Sequence, residues 1–235
     1  AASLGRPMNP APRSPHGWQA LYNGLLPLLR LGLRLAARRN AKLSETLAGH
    51  RGLWPRLEAA LAARDPARPL LWFHVASAGE LLQTLPVLER FAADGSQLVL
   101  TVTSISGQRW AARQREALPA LLAVDFLPLD TRRNVRRLLR LLRPAALIYT
   151  KYDLWPNLVW SAARAGVPQF LLAATLHERS WRFRSALARR LYRSLYARLA
   201  GIFAVTEADA RRFLATAPGH GGVAVLGEPR FAAVL

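Results

Sequence analysis

Residues 135–150 read VRRLLRLLRPAALIYT. Val135, Leu138, Leu139 and Leu142 recur at helical spacing and fall on one face, with arginines opposite. The run Ala145–Tyr149 that follows is short and apolar, the pattern of a strand covered on both faces. A helix leading into such a strand is part of a βαβ unit, and the same alternation extends both ways from it. Further strands are expected at Leu70–Ala76, Leu98–Thr103, Val124–Leu127, Gln169–Ala173, Ile202–Val205 and Val223–Leu226. Helices are expected over Glu80–Ala92, Gly107–Ala117, Arg132–Leu142, Leu154–Ala165, Ser185–Ala200 and Glu207–Ala215. Gly166-Val167-Pro168 supplies a helix stop and the entry to the next strand. The fold class this predicts is α/β, a doubly wound, mostly parallel sheet in one domain over residues 46–235. In such sheets ligands sit beyond the carboxyl ends of the strands, so the loops there carry the functional reading.

Two segments precede that domain. Residues 1–17 are rich in proline and small residues and are expected to be a disordered tail. Residues 18–45 begin WQALYNGLLPLLRLGLRLAARRN and are amphipathic, ending in Arg34, Arg38, Arg39 and Lys42. An aromatic start, apolar middle and cationic end suit a helix lying on an anionic leaflet. A helix packed on the domain and kinked at Pro27 is the alternative. No run reaches the ~20 apolar residues that a spanning helix needs.

The chain carries 33 Lys and Arg against 14 Asp and Glu, a net charge of +19, and only Lys42 and Lys151 are lysines. Such an excess fits an anionic membrane surface, a nucleic acid, or the coding bias of a GC-rich genome. Aromatic residues do not interleave the basic helices and no recognised nucleic-acid motif appears, so nucleic acid is not the expected partner. Cysteine is absent, which removes disulfides and thiolate-held metal. With no HExxH, Gly-x-Ser-x-Gly, GxGxxG or zinc-ligand spacing, neither a metal site nor a cofactor is expected.

The loops after three strands hold the candidate site. After the first comes HVASAGE, with His74, Ser77, Gly79 and Glu80. Glu80 at a helix start is stabilised as an anion and suits a general base. Ser77 and Glu80, three residues apart, equally read as a capping box, and His74 as a packed residue. After the second strand comes TVTSISG, where Thr103, Ser104, Ser106 and Gly107 form either an anion site or a hydroxyl-rich cap. After the fourth, TKYDLWPNL crowds Lys151, Asp153, Trp155 and Asn157 into one turn. A lysine and an acid there are costly to bury and point to a polar site, while a capping Asp153 and a core Trp155 are the alternative.

Taken in chain order, these loops resemble one family, the 3-deoxy-D-manno-octulosonic acid (Kdo) transferases. WFHVASAGE is similar to the family's W-x-H-(A/V)-x-S-x-G-E block, and TVTSISG to its T-x-T-x-x-(T/S)-G block. FLPLD resembles YLPYD, DLWPNL resembles ELWPNL, LHERS the asparagine-arginine-leucine-serine block, and GEPRF the GNLKF block. The resemblance runs from about Tyr22 to Phe231. It implies the N-terminal, acceptor-side, Rossmann-like half of a GT-B glycosyltransferase, monotopic on the cytoplasmic face of the inner membrane. It further implies a CMP-sugar donor held by a C-terminal domain outside this chain, and a phosphorylated lipid A-type acceptor.

By the same resemblance Glu80 is the catalytic base, and Lys151, Asp153 and Arg230 stabilise charge. His74, Ser77, Gly79, Thr103, Ser104, Ser106, Gly107, Trp155 and Asn157 are then acceptor-binding. Lys151 stands where the family has an acid, Asp153 is a shortened acid, and Ala173, Thr175 and His177 replace Asn, Arg and Ser. At the last block Glu228 and Arg230 take the places of an asparagine and a lysine. Reversing a charge in a dry site is worth several kcal/mol, so a changed substrate or lost turnover is implied. The competing expectation is a non-catalytic basic domain that binds anionic lipid or another polyanion.

Overall fold

The apolar runs form seven strands: β1 Leu70–Val75, β2 Gln97–Val102, β3 Leu121–Phe126, β4 Ala146–Thr150, β5 Gln169–Ala174, β6 Gly201–Ala204 and β7 Val223–Val225. The structure, a computed structural model, describes residues 16–178, 180 and 185–229. The strands pair in parallel, in the order β3-β2-β1-β4-β5-β6-β7. β1 and β2 are buried at every residue, as near-continuous apolar strands must be when helices cover both faces. Trp72, Phe73, Leu100, Leu147 and Tyr149 fill the centre of the core.

The described helices are α1 His16–Ala37, α2 Ala41–Gly49, α3 Leu53–Leu61, α4 Ala78–Ala93, α5 Ile105–Ala117, α6 Arg132–Leu142, α7 Pro156–Arg164, α8 Ala186–Tyr196 and α9 Glu207–Thr216. Five of them begin on a hydroxyl that accepts an N–H of the first turn: Ser77, Ser104, Thr131, Ser185 and Thr206. Helix α7 has no such cap; Trp155 makes no side-chain bond there and Pro156 opens the helix, two residues after the expected start.

Chain order reverses between β1 and β4, so the loops leaving those two strands diverge and open a crevice at the carboxyl edge. Everything expected of the sheet's class is present. Strand β3 begins at Leu121 rather than Val124. The element expected over 18–45 is two helices, because the Asn40 side chain accepts the Leu43 N–H at 3.1 Å and starts α2 afresh. Helix α3 was not anticipated; it packs Leu53 and Leu57 beside β3. The expected tail lies outside the described residues except for His16 and Gly17, which open α1.

Helix α1 divides along its length. Its first half docks on α7 through Gln19, Tyr22, Asn23 and the buried Leu26. Leu21 and Leu25 leave the other face of that half exposed, and beyond it Leu28 is 67% and Leu31 54% exposed, in company with Leu29 and Leu35.

Candidate functional site

The site is built where β1 and β4 end. Ser77 caps α4 and accepts the Glu80 N–H at 3.4 Å, one half of a capping box. The other half is missing: Glu80 Oε2 takes the N–H of Ala76 at 2.6 Å instead of that of Ser77. Its second oxygen has no hydrogen-bond partner among the described residues. Burial pushes the Glu80 carboxyl up; the Ala76 N–H pulls against this, the Asp153 charge adds to it, and His74 and Lys151 lower it. A buried carboxyl with raised proton affinity and an uncommitted oxygen is suited to accept a proton.

Behind it lies a buried polar chain. Thr101 Oγ1 accepts the Trp72 indole N–H at 2.8 Å and donates to the Phe73 carbonyl at 3.3 Å. With that hydroxyl proton spent, His74 Nδ1 is the donor to Thr101, at 3.0 Å to Oγ1 and 3.1 Å to the carbonyl. Nε2 faces Asp153 Oδ2 at 3.0 Å. Thr103 Oγ1 donates to the same oxygen at 3.0 Å. Burial raises the Asp153 carboxyl, but His74 and then the Thr103 hydroxyl outweigh it and hold the group below the ordinary carboxylate range.

Lys151 starts the turn that carries Asp153. Its φ is +61°, in the left-handed region, and its N–H donates to the Leu172 carbonyl at 2.8 Å. On the adjoining strand Ala173 has φ +49°, where the β5–β6 register shifts. Two non-glycine residues in this conformation at neighbouring strand ends mark a backbone held by its surroundings.

The β2–α5 loop closes the third side. A Cβ at Gly107 would come within 3.1 Å of Ser104 Oγ and 3.4 Å of the Ala78 nitrogen, so the starts of α4 and α5 are packed together there. In front of this loop opens a cleft of about 790 Å³. Leu33, Leu43, Leu47 and Leu53 give it apolar walls, and Arg30, Arg34, Lys42 and Arg51 add cations. Thr103, Ser104, Ser106 and Trp155 also line it, and Thr103 connects it to Asp153. Glu80 does not line it.

Of the expected residues, Glu80, His74, Thr103, Lys151 and Asp153 thus share one neighbourhood. His74 and Asn157, expected to bind the acceptor, have no exposed surface: one holds Asp153, the other holds α1 and α7. Ser77 is engaged as a cap, and a Cβ at Gly79 would meet only an ordinary contact at 3.9 Å. Arg230 lies outside the described residues. Glu228 accepts a hydrogen bond from Gln83 on α4. Sequence reasoning missed Asp130, a buried acid whose only signal was its place in FLPLD, and the support of His74 by Thr101 and Trp72. Among the described residues no three His, Cys, Asp or Glu are grouped to hold a metal ion.

Comparison with known proteins gives this geometry a family. Relatives include the probable mitochondrial 3-deoxy-D-manno-octulosonic acid transferase of Arabidopsis thaliana, 29% identical over 165 residues, covering 70% of this chain and 35% of that protein. The 3-deoxy-D-manno-octulosonic acid transferase of Bordetella pertussis is 30% identical over 194 residues, covering 80% of this chain and 44% of that one. The Chlamydia pneumoniae protein of the same name is 29% identical over 147 residues, 62% of this chain and 33% of its own. The chain therefore spans less than half the length of these relatives.

Among solved structures, the UDP-GlcNAc 2-epimerases of Neisseria meningitidis and Methanocaldococcus jannaschii each superpose with a TM-score of 0.51. They are 14% and 13% identical, and the match covers 48% and 47% of their chains. That likeness is one of fold, the Rossmann-like half of a GT-B architecture. A family model described as 3-deoxy-D-manno-octulosonic-acid transferase (kdotransferase) matches residues 49–233, and the chain belongs to that family, as its N-terminal domain.

Proposed function

We propose that this domain is the acceptor-binding half of a Kdo-transferase-like glycosyltransferase, moving a sugar from a CMP-sugar to a phosphorylated, lipid A-type acceptor. The observation that carries the reading is Glu80, buried at the sheet's switch point with one carboxyl oxygen uncommitted. In this reading Glu80 takes the proton of the acceptor hydroxyl as that oxygen attacks the anomeric carbon and the nucleotide departs, inverting the centre. Lys151 and the Thr103–Ser106 loop face the acceptor's anionic groups, and the apolar, cation-bearing cleft takes its amphiphilic body. The donor is assigned to the remaining length of the relatives. The test is transfer by the full-length enzyme carrying Glu80→Gln, with a CMP-sugar and a lipid A precursor. The expected fall in kcat is about a hundredfold or more. An unchanged kcat removes Glu80 from the chemistry.

The outer half of α1 supports a second element of the proposal, peripheral attachment to the cytoplasmic face of the inner membrane. No described helix is long and apolar enough to cross a membrane. Leu25, Leu28, Leu31 and Leu35 are instead exposed beside Arg30, Arg34 and Lys42, a pattern that suits the headgroup boundary of an anionic leaflet. A purely lipid-binding, non-catalytic domain predicts the same vesicle binding with no dependence on Glu80 in any transfer assay.

A further inference from the structure

Helix α7 starts without a cap of its own, yet it follows directly on the Lys151–Trp155 turn. Pro156 has no N–H to satisfy. The next two N–H groups, of Asn157 and Leu158, donate at 2.9 Å to Oδ2 and Oδ1 of Asp130, which comes from the β3–α6 connection. A carboxylate at a helix start meets both the free N–H groups and the positive end of the helix dipole. Asp130 is 1% exposed, so the cap is a buried one.

The same junction holds α1. Asn157 Nδ2 donates to the Asp130 carbonyl at 2.7 Å and to Asn23 Oδ1 at 3.1 Å. Asn157 Oδ1 accepts from Asn23 Nδ2 at 3.2 Å and from Gln19 Nε2 at 3.4 Å. Gln19 Oε1 in turn accepts from Arg164, near the far end of α7, at 3.2 Å. The Tyr22 phenol faces the Asp130 carboxyl, and its ring stands edge-on to Trp160 with centroids 6.2 Å apart. Asn157 has no exposed surface, and all its side-chain bonds run either to α1 or to Asp130.

We infer that Asp130 and Asn157 are positioning residues that join α1 and the Lys151–Trp155 turn into one mechanical unit. Asn157 has no exposed surface, and Asp130, which borders the cleft, is 1% exposed. Asp130 fixes the first turn of α7, hence the direction in which the preceding Asp153 and Trp155 emerge, and Asn157 passes the placement of α1 to the same point. A helix bearing an exposed leucine face is thereby set in register with the turn that holds Asp153. The inference stands whichever sugar the domain handles.

The test perturbs the α1 side, remote from the turn. In this chain labelled with 5-fluorotryptophan, the 19F resonance of Trp155 and amide hydrogen exchange at Asn157 and Leu158 are followed in Asn23→Ala and Gln19→Ala. The expected results are a displaced Trp155 resonance under native conditions and exchange at both amides faster by about tenfold or more, the measure of weakened bonds to a charged group. A general loss of stability does not displace a native resonance, which separates positioning from mere support. Faster exchange in α1 with Trp155 and both amides unchanged overturns the inference. Asp130→Asn extends the test from the opposite side; if it fails to fold, the two α1 variants still decide.

Discussion

Lys151 shows how much one residue's backbone matters at this site. Its φ of +61° is costly for a residue with a Cβ, whereas asparagine tolerates that region better. Lys151→Asn is therefore expected to raise unfolding free energy by roughly 0.5–1 kcal/mol, read from denaturant midpoints at constant m. It should at the same time weaken binding of anionic acceptor groups. Nothing in TKYDLWPNL announces the left-handed turn, since it is imposed by the Leu172 carbonyl on the next strand. Glu80 was half legible: its spacing from Ser77 gave the cap, but only the fold shows its carboxylate turning to Ala76 and leaving an oxygen open.

Asp130 gives a pH dependence with a definite sign. Burial pushes its carboxyl from the ordinary 3.8 up to about 6, so between those values the folded chain holds a proton that the unfolded chain has released. Stability from this group is present below pH 3.8 and is lost as pH rises through 6. The loss is on the order of 3 kcal/mol. Glu80, raised in the same direction, adds to the slope, while Asp153, lowered, withdraws its contribution only as pH falls below the ordinary Asp value. Urea titrations from pH 4 to 7 are expected to show this decline in the wild type and a flatter course in Asp130→Asn.

At the scale of elements, periodicity carried most of the information. Apolar runs and Ser or Thr caps placed the sheet and the helices that follow its strands, because both signals are local. The exceptions are elements whose cause is remote. Helix α7 opens at Pro156, a local signal, but the cap that receives its next N–H groups, Asp130, is supplied from another loop, and α3 had no signal apart from the core that receives Leu53 and Leu57. The sequence of helix α1 suits either a packed or a membrane-facing helix, and the structure combines the two: one face of its first half docks on α7, while Leu21, Leu25 and the leucines of its outer half stay exposed and available for a leaflet. Leu28→Asp and Leu31→Asp are expected to leave the melting temperature nearly unchanged, since both side chains are exposed. Each should weaken binding to vesicles containing anionic lipid by about tenfold, the cost of one leucine withheld from the leaflet. Co-sedimentation at low and high salt separates this loss from that of the arginines.

For the whole molecule, topology assembles a local charge balance that no single motif contains. The β1, β2 and β4 loops bring Glu80, Thr103, Asp153 and Lys151 together from widely separated stretches of chain. Lys151 is the cation carried by the turn itself, and it lowers the proton affinity of the Glu80 carboxyl, behind the effects of burial, the Ala76 N–H, Asp153 and His74. Lys151→Glu, which restores the acid found in the resembling family, reverses that contribution and raises the Glu80 pKa. A base with a higher pKa becomes available only at higher pH, so the acidic limb of the kcat/KM profile should move upward. A like charge near a carboxyl disfavours its ionised form, which fixes the direction of that displacement. A limb that stays in place in full-length Lys151→Glu, with activity retained, means that the cation at this turn does not act on the base.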